Sequence, residues 1–207
     1  MRSVYELLTP PHVLRKTHFW DWFSGTTLKN AWATDDISGS GHTYRMVDDI
    51  DQGFEIFGTE GSNQGRITFS TPVEHYDPDN SVCIAVWKAV GDAGNRQLLV
   101  GFSDATDTAA SFAVWKDRES QTTKQIRSRD NAAGSATDVA AVSLTDTVFH
   151  NYKLDLDGVT MRGSLDGVLE VLKTDKYPTD LMAPSVHQVN LGSSGPLRIK
   201  YYEAYSK

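Results

Sequence analysis

Two aspartates two residues apart are the first groups in this chain whose spacing could support catalysis. Asp155 and Asp157 alternate with apolar residues, so a strand would place both carboxylates on one face, where an acid and base pair could act. Gly158 follows directly, and an Asp-Gly step is typical of a tight turn. The simpler interpretation is a solvent-facing carboxylate beside a turn carboxylate, and no catalytic residue is predicted here.

An acidic run at Asp48, Asp49 and Asp51, followed by Gly53, is the segment most similar to a calcium-binding loop. Hard cations take several carboxylate and carbonyl oxygens at a tight turn. The run lacks both the regular Asp-x-Asp-x-Asp-Gly order and a downstream Glu, so a solvated loop is favoured over a metal site. We predict no cofactor, with calcium as the one alternative, since the six dispersed histidines show no zinc spacing.

The densest aromatic cluster, at residues 19–23, could bind a sugar or a protein. Flat tryptophan faces stack on pyranose rings, but tryptophans also dominate protein cores and subunit contacts. Trp87 and Trp115 lie in apolar runs and are predicted to be core residues. Trp20 and Trp22 lie near the N-terminal segment and are predicted to anchor a partner.

The elements that must position these groups are short strands. Asp157-Gly158 and Asp166-Gly167 each separate alternating apolar runs, which is a strong hairpin signal because Gly accepts a positive φ. Many further short runs between turn residues predict an all-β fold, a two-sheet antiparallel β-sandwich with a polar edge strand at residues 124–129. The predicted core-facing side chains are Leu154, Leu156, Met161, Leu165, Ile199 and Tyr201.

Three pieces of the chain resemble the concanavalin A-like lectin and glucanase superfamily. They are the opening at residues 22–32, the strand at residues 144–156 and the hairpin at residues 163–169. As an order of strands, the resemblance extends over residues 19–207. It implies a jelly roll made of two antiparallel sheets, and it says less about function than about fold.

The resemblance also implies what a catalytic member would carry. Glucanases of the superfamily have Glu-x-Asp-x-x-Glu on one strand, which places two carboxylates about 5–5.5 Å apart. This motif does not occur here. Members similar to alginate lyases carry Arg-x-Glu-x-Arg, Gln-x-His and Tyr-x-Lys, whereas this chain has Arg127-Ser-Arg129 and His187-Gln188. We therefore expect a protein that is not an enzyme.

Residues 1–18 are predicted to form an N-terminal arm ahead of a single domain at residues 19–207. The arm has too many apolar residues for a free tail and too few to form a core, and Pro10-Pro11 would keep it extended. We expect it to dock the domain onto another subunit. The predicted partner-binding residues are Tyr5, Leu7, Leu8, Val13, Leu14, Trp20 and Trp22.

Charge and hydropathy narrow the function classes. The net charge of −7 disfavours a nucleic-acid binder, no run approaches the ~20 apolar residues of a membrane span, and the N-terminus does not resemble a signal peptide.

The favoured interpretation is a non-enzymatic virion surface or capsid decoration protein, made in the cytoplasm and assembled as a homo-oligomer or capsid-like particle. The alternative is a lectin-like module that binds glycans, with a cytoplasmic location also open. The third interpretation is a diverged polysaccharide hydrolase or lyase.

Overall fold

A computed structural model describes residues 18–29, 31–38, 42–48, 51–58, 64–69, 76–90, 96–103, 111–118, 121–130, 137–143, 148–190 and 197–207. Within these ranges the chain forms β-strands and no helix, as the sequence predicts. The strands are β1 (His18–Asp21), β2 (Trp32–Ser38), β3 (His42–Val47), β4 (Gly53–Gly58), β5 (Gln64–Phe69), β6 (Ser81–Ala89), β7 (Arg96–Ser103), β8 (Phe112–Arg118), β9 (Gln121–Arg129), β10 (Thr137–Ser143), β11 (His150–Leu156), β12 (Met161–Leu165), β13 (Val168–Lys173), β14 (Ala183–Asn190) and β15 (Leu197–Ser206).

The strands form two antiparallel sheets that pack face to face as a sandwich. An eight-stranded sheet has the order β13-β12-β11-β6-β15-β4-β3, with β1 added beside β15. The seven-stranded sheet has the order β10-β9-β8-β7-β14-β5-β2. About half of the neighbouring strands, including β7 and β14, are not consecutive in sequence, so strand order brings together side chains that no local motif could link. The predicted two-sheet antiparallel sandwich is confirmed.

The two Asp-Gly turns lie where the sequence places them. Asp166 and Gly167 form the two-residue connection between β12 and β13, with φ of 48° and 85°. Positive φ at both positions matches the right-handed twist of a hairpin, and only small or glycine-like residues tolerate it at low cost. Asp157 caps the other turn by accepting the backbone N–H groups of Val159 and Thr160 at 3.1 and 2.7 Å.

The core lies between the sheets and contains most of the predicted residues. Among the six predicted core side chains, Tyr201 is the exception, because it is only half-buried on the outer surface. A register shift between Ile199 and Tyr201 inserts an extra residue into β15, so Tyr202 takes the inward position that simple alternation assigns to Tyr201. Core positions confirmed as buried are Leu154, Leu156, Met161, Leu165, Ile199, Trp87 and Trp115.

Two further features of the fold bear on the sequence predictions. Burial of Cys83 raises the pKa of its thiol to about 12, as expected for a small core residue without nucleophilic character. The expected polar edge strand at residues 124–129 is wrong, because β9 pairs with β8 on one side and with β10 on the other. In the described part of the chain, no helix is long or apolar enough to cross a membrane.

Candidate functional site

The candidate site is the face of the seven-stranded sheet that points away from the core, which we call the open face. Leu98, Val100 and Trp115 point inward and are buried, so the residues that alternate with them along β7 and β8 point outward. The outward side chains at the centre of the sheet are sheltered, since Lys116 is 4% exposed and His187 is 7% exposed. Polar groups pointing away from a core are normally solvated, so the burial of Lys116 and His187 marks a sheltered polar region on the open face.

Four strands contribute to a polar network on the open face. The Lys116 ammonium on β8 donates to Asp138 Oδ2 on β10 at 2.7 Å. Arg127 on β9 donates from Nη1 to Gln97 Oε1 on β7 at 3.0 Å. Because β7 and β9 flank β8, the Arg127–Gln97 bond passes across the strand that carries Lys116. The network thus fixes two cations and an amide at the middle of the sheet.

Several groups of this face are buried without a hydrogen-bond partner. They include the Nε–H groups of Arg127 and Arg129 and the Oε1 atom of Gln125, on alternate residues of β9. The nearest carboxylate oxygen to Arg127 Nε, on Asp138, lies at 3.8 Å, which is too long for a hydrogen bond. Buried donors without acceptors are rare in native proteins because each costs free energy.

His187 on β14 is the imidazole of the open face. It stands opposite Leu99 on β7, and Leu99 stands opposite Lys116 on β8, so the three residues form a row across the sheet. Neighbouring strands are about 4.8 Å apart, which puts the backbones of His187 and Lys116 about 10 Å apart. An imidazole exchanges protons close to neutral pH, so this row combines a proton-transfer group with a fixed cation.

The aromatic residues predicted to bind a partner lie elsewhere. Trp20 and Trp22 are 50% and 56% exposed and sit beside β15 of the eight-stranded sheet. The Trp22 ring packs on Tyr201 with centroids 4.4 Å apart, and the Lys29 ammonium lies 5.0 Å from the Trp20 ring. Partner binding by these two side chains stays a prediction. The other predicted partner-binding residues, Tyr5, Leu7, Leu8, Val13 and Leu14, lie outside the described residues.

In the acidic run that is most similar to a calcium-binding loop, the described carboxylates contact other side chains of the protein. Asp48 accepts the side-chain amide of Gln52 at 3.1 Å, and Asp51 pairs with the Lys88 ammonium. The hydrogen bond from Lys88 lowers the pKa of Asp51. Asp49 lies outside the described residues. Across the described ranges, no three His, Cys, Asp or Glu side chains lie close enough together to hold a metal ion.

The two aspartates whose spacing could support an acid and base pair each form an ion pair with a cation on the eight-stranded sheet. Asp155 accepts from Lys207 Nζ at 2.6 Å, and Asp157 is paired with Arg162. The backbone N–H of Thr160, followed by Arg162, lowers the pKa of Asp157 to about 2. A carboxylate held ionised in this way serves as a turn cap, which agrees with the simpler interpretation of this pair.

The fold matches solved structures of glycan-active enzymes over most of its length. A Bacillus licheniformis β-glucanase is 14% identical, with 92% of this chain and 98% of that chain covered and a TM-score of 0.67. A prokaryotic β-1,3-1,4-glucanase from a mouse hindgut metagenome is 12% identical, with 92% and 99% covered and a TM-score of 0.68. A non-specific endo-β-1,3(4)-glucanase from family GH16 is 13% identical, with 91% and 90% covered and a TM-score of 0.68. No protein-family model and no curated protein sequence matches the chain.

These comparisons correct the functional expectation. The prediction of a non-enzymatic virion surface or capsid decoration protein is wrong, because the matching structures are glucanases and related glycoside hydrolases. The expectation rested on the absence of the one-strand Glu-x-Asp-x-x-Glu motif, and that absence does not exclude polar groups contributed by separate strands. Polar groups of the open face come from separate strands, and a search for Glu-x-Asp-x-x-Glu cannot detect them.

One signal in the sequence could have pointed to the open face. Arg127 and Arg129, noted only as an incomplete lyase motif, are spaced by two and therefore share one face of β9. The two residues that Arg127 contacts, Gln97 and Asp138, are 30 and 11 residues away from it along the chain and gave no signal of their own. At the level of fold, the resemblance to the concanavalin A-like superfamily is confirmed: the chain has the jelly-roll fold of these glucanases.

Proposed function

We propose that the protein is a polysaccharide-active enzyme that holds its substrate chain against the open face. The observation that carries this proposal is the set of hydrogen-bonding side chains at the centre of the seven-stranded sheet, where Lys116 and His187 are buried and Arg127 donates to Gln97. Ligand sites combine shelter from solvent with a few fixed polar groups. The likeness to glucanases supports a glycan as the ligand, although fold alone does not determine chemistry.

We assign proton transfer on the open face to His187. Hydrolysis by two carboxylates needs a pair about 5–5.5 Å or about 6.5–9.5 Å apart. Among the side chains described on the open face, the carboxylate is Asp138, and its Oδ2 atom is engaged by Lys116 at 2.7 Å. An imidazole nitrogen can accept or donate a proton, so we assign His187 the role of general acid or base at the cleaved bond. Gln97 and Arg127 would hold the neighbouring sugar.

The test is a depolymerisation screen with matched histidine variants. Wild-type protein is incubated with neutral β-glucans and with acidic polysaccharides, and chain length is followed by size-exclusion chromatography together with new reducing ends. His187→Asn should reduce turnover by roughly 100-fold or more, in line with general acid–base catalysis, while leaving polymer binding in place. The control is His18→Asn, because His18 lies in β1 of the other sheet and pairs with Glu203 at 2.9 Å.

Two outcomes would contradict the proposal. If wild-type protein shortens no polymer, the protein is not a depolymerase of this kind. If His187→Asn turns over a polymer as fast as His18→Asn does, proton transfer does not involve the open face.

A further inference from the structure

The charge of the open face is opposite to that of the whole chain. The protein has a net charge of −7, yet three cations, Lys116, Arg127 and Arg129, alternate along the outward side of β8 and β9. Asp138 is the carboxylate beside them among the described residues, and its oxygens lie 2.7 Å from the Lys116 ammonium and 3.8 Å from Arg127 Nε. Among the described side chains of β8, β9 and β10 on this face, three cations therefore share one carboxylate.

The geometry shows where this positive charge is unsatisfied. The Nε–H groups of both arginines are shielded from solvent and make no hydrogen bond, although Asp138 Oδ1 lies 3.8 Å from Arg127 Nε, within ion-pair range. A charged donor that is buried without an acceptor lowers the stability of the fold more than a neutral donor does. A guanidinium offers a planar fork of donors that matches the paired oxygens of a carboxylate or of a sulfate ester.

We propose that the polysaccharide bound on the open face is anionic, and that Arg127 and Arg129 receive its carboxylate or sulfate groups. This inference rests on the proposed use of the open face by a glycan. Lys116 is not the receiving group, because its side chain is only 5% exposed and its ammonium already has Asp138 at 2.7 Å. The acidic surface elsewhere would repel a polyanion, so binding is confined to the strip formed by β8 and β9.

The experiment compares charged and neutral versions of one polymer. Binding of full-length protein to polygalacturonate, to the same polymer after carboxyl reduction, and to dextran sulfate is measured by isothermal titration calorimetry. We expect the reduced polymer to bind at least about tenfold more weakly than polygalacturonate, since two charge-assisted hydrogen bonds are lost. Comparing polygalacturonate with dextran sulfate separates carboxylate from sulfate as the recognised group.

Variants locate the binding groups. Arg129→Gln and Arg127→Gln should each weaken binding to the charged polymer by roughly ten- to a hundredfold. Arg129→Lys should recover only part of the loss, because Lys keeps the charge but not the fork. The matched control is Arg162→Gln, which removes an arginine from the eight-stranded sheet and should leave binding unchanged. Thermal unfolding of each variant confirms that it is folded.

The outcomes separate this inference from the proposed function. Equal binding of charged and carboxyl-reduced polymers overturns the anionic substrate while leaving a glycan site on the open face. If Arg129→Gln and Arg162→Gln weaken binding to the charged polymer equally, the attraction is non-specific, and this result also overturns the proposed role of Arg127 and Arg129. Absence of binding to all polymers, charged or neutral, together with no depolymerisation of β-glucans, would overturn both proposals.

Discussion

The carboxylate of Glu55 offers a quantitative test of how the eight-stranded sheet is held together. Glu55 on β4 is 0% exposed, and its Oε1 atom accepts from Nε and Nη2 of Arg198 on β15 at 2.8 and 2.6 Å. Arg198 is itself only 8% exposed. Glu55→Gln removes the counter-charge and leaves a buried guanidinium beside a neutral amide. Breaking a buried ion pair in this way costs about 3–5 kcal/mol.

A second arginine on the same carboxylate supplies the matched control. Arg45 reaches Glu55 Oε2 at 2.6 Å, but its side chain is 59% exposed, so solvent screens the interaction. Arg45→Gln should therefore lower the free energy of unfolding by less than about 1 kcal/mol. The contact distances of the two arginines are alike, so any difference between their variants measures burial.

Urea denaturation followed by tryptophan fluorescence gives the free energy of unfolding, and calorimetry gives the melting temperature. For a chain of this length, a loss of 3–5 kcal/mol lowers the melting temperature by roughly 6–20 °C. The double variant Glu55→Gln with Arg198→Met should be more stable than Glu55→Gln alone, because no buried charge is left without a partner. A loss under about 1 kcal/mol for Glu55→Gln, or an equal loss for Arg45→Gln, would refute the reasoning.

Three further predictions test the core and a turn. Leu156→Ala should cost about 2–5 kcal/mol because Leu156 is fully buried, whereas Leu172→Ala, at a site 56% exposed, should change urea unfolding by less than about 0.5 kcal/mol; equal effects would mean that the register of β11 is wrong. Gly163→Ala should cost about 1–3 kcal/mol, since a Cβ there would lie within 2.7 Å of three core side chains, and an unchanged unfolding midpoint would contradict this packing. The Thr160 N–H and a nearby guanidinium lower the pKa of Asp157 to about 2, below the unfolded value of about 3.9, so its stabilisation is complete above about pH 4 and is lost as pH falls through about 2. Asp157→Asn should flatten this part of the stability profile between pH 2 and pH 5, and an unchanged profile would assign the acid sensitivity to other groups.

Local features of the fold were predictable from sequence because the interactions that form them are local. The Asp166-Gly167 turn depends on two adjacent residues that tolerate positive φ, and the structure has 48° and 85° there. Alternation likewise places Leu154 and Leu156 in the core. It fails at Tyr201, because a single extra residue in β15 exchanges the two faces of the strand and nothing in the residue types marks the bulge.

Beyond the spacing of Arg127 and Arg129, the open face could not be predicted from sequence, because it depends on strand order. Gln97, Lys116, Arg127, Asp138 and His187 lie on five strands, and the order β10-β9-β8-β7-β14 makes those strands neighbours. Each residue alone reads as an ordinary surface side chain. Only the pairing of β7 with both β8 and β14 places the imidazole in the same row as the ammonium.

The two faces of β8 and β9 together argue that the unsatisfied arginines serve a ligand. On the inward face, the Lys124 side chain is 1% exposed and its ammonium lies 2.8 Å from an Asp117 oxygen, so this buried charge has a close counter-ion. On the outward face of the same strands, the Nε–H groups of Arg127 and Arg129 are shielded from solvent but make no hydrogen bond. Because an uncompensated buried donor reduces stability, two such donors on alternate residues of the outward face of β9 fit a site whose acceptor arrives with the substrate.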